Sequence, residues 1–361
     1  MTRPARVVIN LSALRHNLAR VHELAPACKI MAIVKADGYG HGLTRVAHAL
    51  AAADAFGVAC LEEARELRGA GIKQPIILLE GPYSANELTK IVNLGLDIVI
   101  HDVTQVEMLE RAVLPRPVVV WLKVDTGMHR LGFLPEAITR IWQRLNDCKA
   151  VADKIYLMTH LAVANERDNP MNHAQIECFH KVCANLATET SIANSASILA
   201  FPDTHADWVR PGLMLYGVSP LCDSSGVDEG LKPVMTLKSE LIAVKNLRAN
   251  DPVGYGATWR CPEDMPVGIV AAGYGDGYPR HAPSGTPVLV NGERVALIGR
   301  ASMDMLIVDL RKQPRAKVGD PVVLWGEGLP VEELARHADT IPYELLCAVH
   351  KRLQFIEYGK D

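Results

Sequence analysis

No stretch of the chain approaches the ~18 consecutive apolar residues of a membrane-crossing helix, which argues against a spanning segment. Nor does the amino terminus carry an apolar leader core or a small-residue cleavage site: Met1-Thr2-Arg3-Pro4-Ala5-Arg6 runs straight into a strand-like Val7-Val8-Ile9-Asn10. A cytoplasmic location is therefore expected. Charge of either sign is not in excess, with 38 basic against 41 acidic residues and a formal net charge of −3. Without a basic stripe or an acidic tail, nucleic acid and anionic membrane are poor partners, and a small molecule or another protein remains. The eight cysteines, at 28, 60, 148, 178, 183, 222, 261 and 347, form no CxxC pair and meet no histidine cluster at zinc spacing. They read as reduced thiols, with no metal expected. No GxGxxG follows the first strand, which argues against a dinucleotide fold. Repeats of 20 to 50 residues and low-complexity segments are also missing. What is present is length, 361 residues, and a 49% hydrophobic composition that can bury a large core.

From residue 7 to about 217, short apolar runs alternate with helix-period segments, the pattern of βα units around a parallel sheet. Eight strands are expected, at 7–10, 29–35, 55–59, 75–79, 97–100, 117–124, 155–161 and 189–193. Most are continuous apolar runs, as strands covered on both faces are. Ser12 reads as the N-cap of the first helix, whose Leu14, Leu18, Val21 and Leu24 share one face. Further helices are expected over 85–94, 105–113, 137–145 and 175–186. Eight such pairs in about 200 residues favour a closed (β/α)8 TIM-type barrel over a doubly wound sheet.

After Pro211-Gly212 and the loop Asp223-Ser224-Ser225-Gly226 the texture changes. From Val234, β-prone stretches lie between Gly, Pro and Asn punctuation, and helical patterns return only at 332–338 and 343–353. Asn291-Gly292 suits a type I′ hairpin turn. The expected fold is α/β: an N-terminal eight-stranded barrel over 1–232, then a C-terminal mostly-β domain over 233–361.

Active sites of such barrels lie at the carboxyl ends of the strands. Lys35 stands there, in Ile33-Val34-Lys35-Ala36-Asp37-Gly38-Tyr39-Gly40-His41-Gly42. Desolvation there would supply the neutral amine of Schiff-base chemistry, although a lone lysine leaving a sheet more often just meets solvent. Lys123-Val124-Asp125-Thr126-Gly127-Met128-His129-Arg130, then His160, Asn194-Ser195 and Arg210-Pro211-Gly212-Leu213, add polar strand ends to the same rim. Ser195 and the amides of Gly212 and Leu213 fall where barrels often bind phosphate. Tyr255 and Tyr274 are glycine-flanked, each alone readable as a turn aromatic, and Ser302-Met303-Asp304-Met305 follows them.

Taken together and in this order, these motifs resemble the bacterial alanine racemase family, fold-type III enzymes of pyridoxal 5′-phosphate (PLP), across residues 7 to about 346. The resemblance implies interconversion of L- and D-alanine, supplying or consuming D-alanine for peptidoglycan. It assigns Lys35 as the residue that carries PLP covalently and as the base on the D side, with Tyr255 as the base on the L side. A tyrosine near its reference pKa of about 10 is a weak base at neutral pH, so a cationic neighbourhood is needed, and His160 and Arg210 match the family chain behind it. Arg210 also matches the residue facing the pyridine nitrogen, where a guanidinium has no proton to give and leaves the cofactor a weaker electron sink. Arg130 corresponds to the residue that touches the phenolic oxygen and the substrate carboxylate. Lys123 matches a lysine often found carbamylated, an anion able to fix Arg130. Tyr39, Ser195, Gly212, Leu213 and Tyr343 correspond to the phosphate cradle, Met303 to a backbone donor for the substrate carboxylate, and Asp304 and Tyr274 to supporting positions. The family assembles as a head-to-tail homodimer in which Tyr255, Met303 and Asp304 complete the partner's site.

Two departures stand out. Asp37-Gly38 replaces the usual Asn-Ala, which implies an added negative charge and a looser backbone. Asn165 stands where many members have aspartate, in an access corridor matched by Arg280, Arg300 and Ile341, which implies altered substrate access. Fold-type III decarboxylases are a rival, but their glycine-rich phosphate loop and Cys-containing motif are not found here. PLP-homeostasis proteins stop after the barrel. A serine or broad-spectrum racemase differs from this reading by only about 1–3 kcal/mol of pocket discrimination.

Overall fold

The computed structural model describes residues 3–184 and 186–359, and its chain divides into two compact units. One comprises Arg15–Leu215 with Ser219–Ser224; the other comprises Met1–Leu14, Tyr216–Val218 and Ser225–Asp361.

Strand β1 (Arg6–Asn10) precedes eight parallel strands: β2 (Lys29–Ile33), β3 (Ala55–Val58), β4 (Ile76–Leu78), β5 (Leu96–Ile100), β6 (Val118–Lys123), β7 (Val151–Met158), β8 (Thr190–Asn194) and β9 (Trp208–Arg210). β2 to β9 close into a barrel, β2 pairing with β9 at Lys29–Trp208 and Ile30–Val209. Every residue of β3 and β4 is buried, as expected of strands with side chains inside the barrel and helices outside it. The expected eight-stranded barrel is present, but with a different membership. The strand at 7–10 is not its first member, and the three-residue β9, not among the expected strands, is its last.

The reason lies in periodicity. β1 alternates, with Val7 and Ile9 buried between half-buried neighbours, which suits a strand with one face covered. It pairs antiparallel with β10 (Met235–Leu247) and parallel with Gln354–Tyr358, so the amino terminus belongs to the second unit. In that unit β10 also pairs with Pro321–Trp325 and Met265–Val270, and its register shifts at Leu241/Ala243 as it passes from one neighbour to the next. Pro287–Val290 and Glu293–Ala296 form the expected hairpin, with Asn291 and Gly292 at φ 53° and 82°.

The first helix spans Leu11–Leu24, and its cap is Asn10 rather than Ser12: the Asn10 Oδ1 accepts from the Ala13 amide at 3.1 Å and from the Ser12 hydroxyl at 2.7 Å. The helix expected over 175–186 spans Met171–Cys183, and residue 185 lies outside the described residues. The pattern at 343–353 yields only Pro342–Cys347 before the chain turns into its last strand.

At the amino-terminal end of the barrel, Trp121 stacks on Tyr156 at 4.2 Å and meets the Trp208 edge at 5.5 Å. Beside them Glu189 accepts from Lys154 (2.6 Å), Lys29 (3.0 Å) and the Trp208 indole (2.7 Å). Burial opposes its charge, but these donors hold the carboxyl down to about 2. This end of the barrel is packed, and polar chemistry gathers at the other. No helix among the described residues is long and apolar enough to cross a membrane.

Candidate active site

Lys35 lies two residues beyond the buried end of β2, and the chain then makes one left-handed turn: Ala36, Asp37, Gly38 and Tyr39 have φ of 54°, 56°, 61° and 52°. Each non-glycine residue in that region costs ~1 kcal/mol or more, so the turn persists only because its surroundings hold it. The Glu63 carboxylate accepts from the Ala36 amide at 2.7 Å and from Ala59 at 2.9 Å. The Asp37 Oδ1 accepts from the Leu43 amide at 2.8 Å, where the helix Leu43–Ala49 begins. The charge expected near the cofactor loop is thus spent on a helix start. Gly38 occupies a positive φ, and a Cβ there would lie 2.9 Å from Val46. The turn buries Tyr39 and brings its hydroxyl against β9's exit, where a Cβ on Gly212 would lie 2.6 Å from it.

Four strand ends contribute the remaining groups in this unit. Lys123 ends β6, Arg130 lies in the following loop, His160 follows β7, Ser195 follows β8, and Arg210 ends β9 with Gly212 and Leu213 beyond. Asp125 shapes the Arg130 loop by accepting from the Gly127 and His129 amides, both at 3.0 Å. Ser195 accepts from the Gly212 amide at 2.8 Å.

Arg210 is buried, and its guanidinium donates to the Ser191 hydroxyl (2.5 Å) and to the carbonyls of Thr159 (2.5 Å) and Ile192 (3.1 Å). One Nη also faces His160 Nδ1 at 3.4 Å. All four partners are neutral, and desolvation lowers the guanidinium to about 10, still charged at neutral pH. Burial, then the positive charges of Arg210, Lys123, Arg130 and Lys35, holds His160 well below its ordinary value. It is therefore a neutral imidazole with Nδ1 toward Arg210 and its proton on Nε2. Burial and the charges of Arg210, Arg130 and Lys35 likewise pull Lys123 down to about 8.

Sequence reasoning missed the residues that set this cage. Thr159 Oγ1 lies 2.8 Å from Thr126 Oγ1 and donates to Val124 O at 2.9 Å. Gln175 donates to Thr126 and to the His160 carbonyl and accepts from the Ala162 amide. Ser191 donates on to the Trp208 carbonyl at 2.8 Å. Their only signal was polarity at buried positions: a glutamine beside Ile176 and Phe179 on one helix face, and a serine inside an apolar strand.

The other predicted residues lie in the second unit. Tyr255 is 67% exposed and Met303 53%, which leaves both side chains uncovered in their own chain; Tyr274 and Tyr343 are also exposed and Asp304 half-buried. Arg280, Arg300 and Ile341 are exposed. Asn165, in the barrel unit, donates its amide to Cys222 Sγ at 3.1 Å.

A closed parallel barrel that gathers Lys35, Lys123, Arg130 and Arg210 around its carboxyl strand ends has the layout of a barrel enzyme. Family models for the alanine racemase N-terminal and C-terminal domains match residues 9–220 and 234–357. An alanine racemase of Nitrosococcus oceani is 56% identical over 348 residues, 96% of this chain and 98% of its own, and one of Coxiella burnetii is 51% identical over 361 residues, 99% of each. The crystal structure of a biosynthetic alanine racemase from Pseudomonas aeruginosa superposes with a TM-score of 0.97 at 47% identity, covering 99% of this chain and 100% of that one. The structure of alanine racemase from Acinetobacter baumannii gives 0.94 at 38% identity, with the same coverage. The chain belongs to the alanine racemase family, whose members are isomerases.

Proposed function

We propose that this chain interconverts L- and D-alanine with PLP, using Lys35 and Tyr255 as bases on opposite faces of Cα. The observation that carries the reading is Arg210: a buried guanidinium caged by neutral partners, with Lys35 and Arg130 nearby, fits an anionic cofactor whose ring nitrogen accepts a hydrogen bond. Ser195, Tyr39, Gly212, Leu213 and Tyr343 would hold its phosphate, Lys35 would hold it covalently, and Arg210 would face its nitrogen. When bound, PLP supplies the electron sink that makes the substrate Cα–H acidic.

Racemisation in one binding pose needs a proton acceptor on each face of Cα. The Lys35 amine serves the D side. Tyr255 serves the L side of the partner's site in a head-to-tail homodimer, an assignment supported by its exposure in its own chain. His160, proton on Nε2, donates toward that tyrosine oxygen while Arg210 backs its Nδ1. Arg130 takes the substrate carboxylate, with the Met303 backbone amide of the partner chain. Eight free thiols support a reducing, cytoplasmic setting. In D₂O, L-alanine incubated with protein and PLP is expected to give both enantiomers with deuterium at Cα; unchanged L-alanine, or D-alanine free of deuterium, would contradict the reading.

Lys123 at about 8 is partly a neutral amine at pH 7 to 8. Its nitrogen adds to the carbon of CO₂ and loses a proton, leaving a carbamate anion that steadies Arg130. Labelling with ¹³C-bicarbonate is expected to give a carbamate resonance that grows as pH rises toward 8 and is missing from Lys123→Met. Identical spectra for the two proteins would refute the carbamate.

A further inference from the structure

The Gly273-Tyr274-Gly275-Asp276-Gly277 motif is built around a carboxylate with no exposed surface. Asp276 Oδ1 accepts from Arg3 Nη1 at 2.5 Å and from Arg352 Nε at 2.8 Å, and its Oδ2 accepts from the Gly273 amide at 2.9 Å. The same two arginines reach the next loop. Arg352 donates to Asp304 Oδ1 at 2.8 Å and to the Met303 carbonyl at 3.4 Å, and Arg3 donates to the Asp304 carbonyl at 2.8 Å. Two acids and two bases from four separate segments thus form one closed set.

The backbone is fitted to it. Tyr274 donates to the Ser302 carbonyl at 3.0 Å and Gly275 to the Met303 carbonyl at 2.9 Å. A Cβ on Gly273 would lie 2.2 Å from Ser302 O, so that position tolerates no side chain, and one on Gly275 would lie 2.6 Å from Arg352 Nη2 and push the guanidinium aside. Residues 273–277 form a plate on which the Ser302–Met305 loop is docked, with the Tyr274 and Met303 side chains displayed outward. The glycines that flank Tyr274 are explained by this docking.

We propose that Arg3, Asp276 and Arg352 are positioning residues for the substrate, fixing the Met303–Asp304 loop and Tyr274 in the orientation that binds the substrate carboxylate. The proposal rests on the reading above that this loop completes the partner subunit's site. None of the three touches the substrate; each acts through the loop. Because charge-assisted bonds hold the loop, losing one leaves it free to move by an ångström or so, while the cofactor end in the barrel is untouched.

The test uses the PLP-loaded dimer and the variants Arg3→Ala, Arg352→Ala and Arg352→Lys. Arg352→Ala is expected to raise KM for alanine about tenfold with kcat within about twofold, Arg3→Ala to raise it by a few-fold, and Arg352→Lys to recover part of the loss. The cofactor absorbance of each variant is expected to match wild type. If Arg352→Ala does not fold, Arg3→Ala decides, since it leaves Arg352 on Asp276. An unchanged KM, or a fall in kcat as large as the rise in KM, overturns the proposal. Wild-type protein that does not racemise alanine overturns the functional reading itself, and the proposal with it.

Discussion

Lys35→Ala is expected to abolish Cα exchange from both L- and D-alanine, with a loss of roughly four orders of magnitude or more. The expectation follows from the two duties placed on one amine. As the proposed covalent holder of the cofactor it is not replaced by Lys123, which ends a different strand. As the proposed D-side base it stands just before a left-handed turn held by Glu63, Asp37 and the Val34 carbonyl. Circular dichroism of the variant is expected to match wild type, because these backbone bonds do not involve the lysine side chain. Measurable exchange from D-alanine in Lys35→Ala would remove the lysine from the base position.

Tyr255→Phe is expected to act asymmetrically. Exchange from L-alanine falls by about two to four orders of magnitude, while some exchange from D-alanine persists, because the D-side base is intact. Equal loss from both enantiomers would contradict the two-base assignment. The same residue tests the assembly. Lys35→Ala and Tyr255→Phe are each inactive alone, but a hybrid dimer has one site with both bases intact if Tyr255 serves the partner. Random mixing after dissociation is then expected to restore about a quarter of wild-type activity. A mixture as inactive as its components would place Tyr255 in its own subunit's site.

The roles of Lys35, Lys123, His160, Ser195 and Arg210 came from the family resemblance: strand-end position alone marked them only as polar groups on one rim, and left Lys35 readable as a lysine that meets solvent. The structure brings Lys35, Lys123, His160 and Arg210 together. The barrel was readable from its eight alternations, but both ends of the count were misassigned. Val7-Val8-Ile9 looks like any short apolar run until its alternating burial is seen, and Trp208-Val209-Arg210 is too short to announce a strand. The cage around Arg210 was hidden for a different reason: Gln175, Ser191 and Thr159 are ordinary residues whose importance comes from contacts more than ten residues away in sequence. The local duties of Asp37 and Gly38, a helix start and a positive φ, were hidden because residue type alone does not give the backbone angle.

The most direct test of the central claim is where the cofactor is joined. Borohydride reduction of PLP-loaded protein fixes the reducible nitrogen–carbon bond, and peptide mapping then locates the pyridoxyl group. The account predicts a single labelled peptide, the one containing Lys35. A label on Lys123 or any other lysine, or no label on protein saturated with PLP, would contradict it.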